Sequence, residues 1–217
     1  MTVIGITGGI ATGKSSALDF FRKLGAKTID ADEIVRKLYK KESIKELLVL
    51  NFGGKAIDGN GNVNRKFLAE RIFSERKARL LLNAMVHPIV NAELKKCIAA
   101  FRKSKRMNAW KIKKNKNSRL LVVEVPLLFE SNSEKMYDKV VVVGSARKKQ
   151  LERMARGGIS KSNAEKRLAA QMPIGKKAKK ADFLIQNNGS KKELETEVKK
   201  VLAKLVFSQV SVLPKLP

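Results

Sequence analysis

Two periodicities alternate along this chain. Val3–Ile6 is a short unbroken apolar run, and beyond a glycine-rich stretch Ala17, Phe21 and Leu24 recur at helical spacing, so the opening reads as strand, loop, helix over Ser15–Leu24. Gly25 stands where a left-handed helix terminator belongs, and Ala26–Ile29 resumes a strand pattern. Leu120–Val125, Lys139–Val143 and Phe183–Gln186 predict three more strands, separated by stretches able to form helices. Apolar strands alternating with helices predict an α/β fold, a five-stranded parallel sheet flanked by helices.

The last helix is marked by a capping box, Ser190 with Glu193, after which Leu194, Val198, Val201, Leu202 and Leu205 share one face. Ser208–Pro217 lacks that pattern and reads as a loose tail. Some 85 residues separate the second strand from Leu120, far more than one crossover helix needs. They read as a helix near Glu42–Leu50, a Gly/Asn-rich loop over Asn51–Asn64, and helices from about Arg65 to Val86 and from Pro88 to Phe101. The division this predicts is a core over 1–38, 119–146 and 182–207, a helical insertion over 39–118, a helical segment over 147–181 and a tail over 208–217.

Composition adds charge to this picture. Among 217 residues, 47 Lys and Arg against 20 Asp and Glu give a net charge of +27, which points to an anionic partner. Arg102–Arg119 holds nine basic residues, no acid and the only tryptophan, Trp110, whereas Arg147–Lys180 holds twelve basic residues against Glu152 and Glu165. Trp110 among lysines could stack on a base, but an exposed loop aromatic is the plainer reading. A lone Cys97 excludes an internal disulfide and, with His87 the only histidine, the usual zinc sites. No apolar run is long enough to span a membrane, and the N-terminus lacks the charged opening of a leader. A soluble, cytoplasmic protein is expected, monomeric or weakly self-associating, with no membrane partner and no specific nucleic acid partner.

Gly8-Gly9-Ile10-Ala11-Thr12-Gly13-Lys14-Ser15, followed by Ser16, matches G-x-x-x-x-G-K-[ST] and sits between a predicted strand and a predicted helix, as a phosphate-binding loop must. The glycines let successive N–H groups converge, and the helix N-terminus adds partial positive charge. Lys14 can reach the β- and γ-phosphates of ATP, and the Ser15 hydroxyl can ligate a bridging Mg²⁺.

Asp30-Ala31-Asp32-Glu33 follows the second strand, at the sheet edge where open α/β folds bind ligands. Asp30 reads as a helix N-cap. Asp32 is either an acid favoured by the helix dipole or the carboxylate that accepts a hydroxyl proton from a phosphoryl acceptor. Glu124, ending a strand, could hold the metal through water or simply be a solvated acid. Arg147, Arg153 and Arg156 could clamp a transferring phosphate from a mobile lid, with a solvated helix face as the plain alternative; His87 and Cys97 have plain structural readings too.

These residues carry a resemblance to the dephospho-coenzyme A kinase family over about Val3–Val206. It rests on Thr7-Gly8-Gly9-Ile10 leading into Gly13-Lys14-Ser15, Asp30-Ala31-Asp32 with Arg36, Phe52-Gly53, Asn64-Arg65 and His87-Pro88, then Val125–Glu130, Gln150 with Arg153 and Arg156, Gln171, and Ala181-Asp182 leading to Asn187. The resemblance implies a P-loop kinase core, a substrate-binding helical insertion and an arginine-bearing lid. It further implies that ATP phosphorylates the ribose 3′-hydroxyl of dephospho-coenzyme A, with Asp32 as base, Lys14, Arg153 and Arg156 as catalytic cations, and Asn187 on the nucleotide. Arg65, His87 and Glu130 then belong to the acceptor side. The basic 102–119 segment is longer than that pattern expects. Another small-molecule or nucleotide kinase of the same fold, and a nucleic-acid-binding ATPase, are the competing readings.

Overall fold

The computed structural model describes residues 1–107 and 120–210. Five strands form one all-parallel sheet: β1 (Thr2–Gly8), β2 (Lys27–Asp30), β3 (Leu120–Glu124), β4 (Lys139–Gly144) and β5 (Phe183–Gln186), in the order β2-β3-β1-β4-β5. Alternate residues of each strand enter opposite cores. Ile4, Ile6, Val122, Val141 and Val143 pack with α1 (Lys14–Lys23) and α9 (Lys191–Val210), while Val3, Leu121, Val123, Val140 and Val142 pack with helices that follow β2. Burial on both faces is why the central strands β1, β3 and β4 are mainly apolar rather than alternating, whereas the edge strand β2, Lys-Thr-Ile-Asp, has no buried residue.

The segment between β2 and β3 holds α2 (Ala31–Leu38), α3 (Glu42–Phe52), α4 (Arg65–Ser74) and α5 (Arg76–Met107). The expected helix break at Pro88 does not occur; the break falls at Glu75, and α5 runs through His87-Pro88. Proline deletes one helical hydrogen bond. Against that loss, Leu82, Val86, Val90, Leu94 and Ile98 form a buried stripe that continues across Pro88, so tertiary packing overrides the local signal. Residues 208–210, expected in the tail, are helical instead, because α9 continues through Val210; the rest of that stretch lies outside the described residues. Trp110 and most of the basic 102–119 segment lie outside the described residues.

Between β4 and β5 come α6 (Arg147–Arg156), α7 (Lys161–Ala169) and α8 (Ile174–Lys179). Helix α7 leans on α4 through Arg167, whose guanidinium lies 4.9 Å from the Phe73 ring centre. Among the described residues no helix is long and apolar enough to cross a membrane.

Candidate active site

The Gly8–Ser15 loop leaves the carboxyl end of β1, a central strand, and its cradle depends on two left-handed residues, Gly13 at φ 90° and Ala11 at φ 56°. Side chains could not be added freely here. A Cβ on Gly13 would stand 2.1 Å from the Asn187 amide nitrogen, and one on Gly8 2.3 Å from the Val143 carbonyl oxygen. Inside the turn the Gly9 carbonyl accepts from Lys14 Nζ at 2.8 Å and from Thr12 Oγ1 at 2.9 Å. Outside it, Asn187 Nδ2 donates to the Thr12 carbonyl at 2.7 Å, and Arg153 donates to the Ala11 carbonyl at 3.1 Å and the Asn187 carbonyl at 2.9 Å. Ala11, Gly13, Ser15, Ser16, Arg153 and Asn187 line a cavity of about 410 Å³.

Lys14 is buried, and burial lowers its pKa, opposed chiefly by the Glu124 carboxylate. Glu124, at the end of β3, accepts from Ser15 Oγ at 3.3 Å through Oε1, whereas its Oε2 is buried without a hydrogen-bond partner among the described residues. Burial pushes this carboxyl up to about 7. A buried oxygen lacking a donor beside a serine hydroxyl is a place where a cation fits.

Because folded Glu124 holds its proton more tightly than the unfolded chain, its contribution favours the fold at low pH and is lost as pH rises from about 4.5 to about 7. Glu124→Gln should therefore stabilise the ligand-free protein at pH 8 by on the order of 2 kcal/mol, raising the melting temperature by about 4–8 °C, with no gain near pH 4.5. Thermal melts at the two pH values check this; a gain of equal size at both would contradict the assignment.

On the other side of Lys14, α2 starts at Asp30, whose Oδ1 accepts from the Asp32 backbone N–H at 2.8 Å and whose Oδ2 pairs with Arg36 at 3.1 Å. Asp32 itself opens toward solvent in the cleft. Desolvation by the cleft walls, then the Asp30 carboxylate, raise its pKa, while Lys14, Arg36 and Arg65 pull it back. Asp32, Tyr39, Val86, His87, Val90 and Pro126 line a largely apolar cavity of about 260 Å³. Arg65, at the start of α4, lies 5.8 Å from the Tyr39 ring centre. Burial lowers the pKa of His87, against the Glu130 carboxylate.

Glu130 accepts from the Met172 N–H and from Lys177 Nζ, both at 2.9 Å. Lys177 is fully buried and also donates to the Pro126 carbonyl at 3.0 Å. Burial lowers its pKa, and its charge reaches Lys14. Sequence reasoning overlooked Lys177, which is one of four lysines within Lys176–Lys180; only its match to the inward face of a short helix sets it apart. The structure thus places Lys14, Ser15, Arg153 and Asn187 on the loop-side cavity and Asp32 and His87 on the apolar one, with Lys14 and Arg65 acting on Asp32 and Glu130 on His87 through their charges. Arg156, which ends α6, stays exposed and outside the polar contacts of the loop.

Comparison with known proteins agrees with this geometry. The dephospho-CoA kinase family model matches residues 2–193. A dephospho-CoA kinase of Syntrophotalea carbinolica is 36% identical over 208 residues, 95% of this chain and 93% of that protein. The solved dephospho-CoA kinase of Campylobacter jejuni superposes with a TM-score of 0.65 at 28% identity, covering 95% of this chain and 98% of that one. A shikimate kinase from Acinetobacter baumannii, at 16% identity, 96% and 94% coverage and a TM-score of 0.51, shares the P-loop kinase fold alone. With the charges of its β2-end aspartate and its glutamate-anchored lysine both reaching the lysine of its phosphate loop, and with this match running nearly end to end, the chain belongs to the dephospho-CoA kinase family.

Proposed function

We propose that the chain transfers the γ-phosphoryl group of ATP to the ribose 3′-hydroxyl of dephospho-coenzyme A. The observation that carries this reading is the position of Asp32, which lies within reach of the Lys14 charge and lines the apolar cavity. ATP enters the loop-side cavity with its phosphates on the loop amides; the acceptor enters from the Asp32 side, with residues 39–118 as its binding insertion and 147–181 as the lid. Arg65 and His87 flank the acceptor hydroxyl, and Glu130, held by Lys177, fixes the wall behind it. Arg153 supports charge on the migrating group, and Arg156 joins it on closure.

Ser15 Oγ and the spare oxygen of Glu124 suit a Mg²⁺ ion, which when bound supplies positive charge to the phosphate oxygens. Lys14 neutralises the phosphates beside it, and closure of the lid excludes water as a rival acceptor. Asp32 accepts the hydroxyl proton as the new bond forms, and its raised pKa brings it closer to neutrality, where a general base works best. A cytoplasmic setting suits the exposed, unpaired Cys97.

The direct test is to incubate the purified chain with ATP, Mg²⁺ and dephospho-coenzyme A and look by mass spectrometry for an acceptor carrying one more phosphoryl group; absence of that product would overturn the reading. Asp32→Asn should lower kcat by about 10²–10³-fold, the modest end for a base because in a loose transition state the hydroxyl gives up its proton late. The wild-type rate should fall as pH drops through the raised Asp32 pKa. That acidic limb should be missing in the variant, which a pH–rate profile reads directly.

A further inference from the structure

Gln150 and Gln171, two motif residues to which no role falls in the mechanism above, meet at one residue of the phosphate loop. Gln150 Nε2 donates to the Ile10 carbonyl at 2.7 Å, and Gln171 Oε1 accepts from the Ile10 N–H at 2.9 Å. They come from 140 and 161 residues away in the chain, one within α6 and one between α7 and α8. Each partner dictates which end of the amide faces it, so both side-chain orientations are determined by the network. Gln150 is buried, and a Cβ on Gly9 would approach its nitrogen to 2.8 Å; Gly9 leaves that space open.

We propose that Gln150 and Gln171 are positioning residues that set the direction of the loop's peptide units, and through them of Lys14. In a trans peptide the C=O and N–H point opposite ways. Gln150 holds the Ile10 carbonyl outward, which turns the Ala11 N–H inward. Arg153 and Asn187 do the same for the next two units by holding the Ala11 and Thr12 carbonyls. Three consecutive side-chain donors thus keep three consecutive amides aimed at the anion. Gln171 has the opposite polarity and the opposite effect. By taking the Ile10 N–H outward it turns the Gly9 carbonyl inward, where it receives Lys14 Nζ and Thr12 Oγ1. Both stems of the α7 segment are thereby fastened to a single loop residue, so the grip on nucleotide and the seating of that segment are coupled.

The inference rests on the loop binding ATP, and the test separates the two. Affinity for a fluorescent ATP analogue is titrated without acceptor on the full chain and on Gln150→Glu, Gln171→Glu, Gln150→Met and Gln171→Met, with thermal melts in parallel. The Glu substitutions add the same charge, but at 171 the acceptor is retained and at 150 the donor is lost. Gln150→Glu should bind about tenfold or more weakly than Gln171→Glu, and both Met variants about tenfold more weakly than wild type. Gln171→Glu should also keep a higher kcat than Gln171→Met, because the Gly9 carbonyl still faces Lys14. Equal affinities for the two Glu variants overturn the proposal. If Gln150→Glu fails to fold, wild-type affinity in Gln150→Met does so instead. A wild-type chain that binds no analogue overturns the nucleotide reading itself.

Discussion

Arg153→Ala is expected to slow phosphoryl transfer by about 10³–10⁵-fold, the range seen when an arginine stabilising a migrating phosphoryl group is lost. The reason is double. The guanidinium is held in the loop-side cavity by the Ala11 and Asn187 carbonyls and by Ser145 Oγ at 3.3 Å, so its charge is already in place before substrate arrives. Removing it also frees the Ala11 carbonyl, at a residue with φ 56°, to swing toward the phosphates and set a negative dipole against them. Arg153→Lys should recover little, since one ammonium cannot span two carbonyls and a hydroxyl in a fixed fork. Single-turnover rates with ATP and dephospho-coenzyme A give the measurement. A loss below about tenfold for Arg153→Ala would remove this residue from the transition state.

What the chain reveals before folding depends on whether a signal is local. The phosphate loop is legible because its spacing, the strand before it and the helix after it all lie within Thr2–Lys23. The capping box and strand runs are legible for the same reason: Ser190 and Glu193 bond each other as their spacing predicts. Pro88 misleads because the stripe from Leu82 to Ile98 that carries the helix through it draws its energy from a core assembled elsewhere in the chain. Arg153 and Arg156 look alike in sequence, yet only Arg153 reaches the loop carbonyls. Lys177 is hidden most completely, since nothing distinguishes it from its lysine neighbours until Glu130 and the Pro126 carbonyl surround it.

That buried lysine bears on the second large effect. Lys14→Met should lower kcat/KM for ATP by at least about 10³-fold, at or beyond the upper end for a single stabilising group, because a full charge in a desolvated site is worth more than a neutral donor. Most of the loss should appear in kcat if Lys14 follows the γ-phosphoryl as its charge moves, and in KM if it only holds the ground-state phosphates. The geometry favours the first outcome. Lys14 Nζ already has a partner in the Gly9 carbonyl, and burial together with the nearby Lys177 charge makes its ammonium costly to keep, a cost the Glu124 carboxylate offsets only in part. In the transition state negative charge shifts onto the oxygen between the β- and γ-phosphates, and an ammonium placed beside it is stabilised most there. Lys177 cannot substitute, because Glu130 and the Pro126 carbonyl hold its ammonium. Steady-state kinetics of Lys14→Met with ATP varied at saturating acceptor decide between the two. A variant that keeps kcat and loses only ATP affinity would reduce Lys14 to an anchor and shift the burden of transition-state charge onto Arg153.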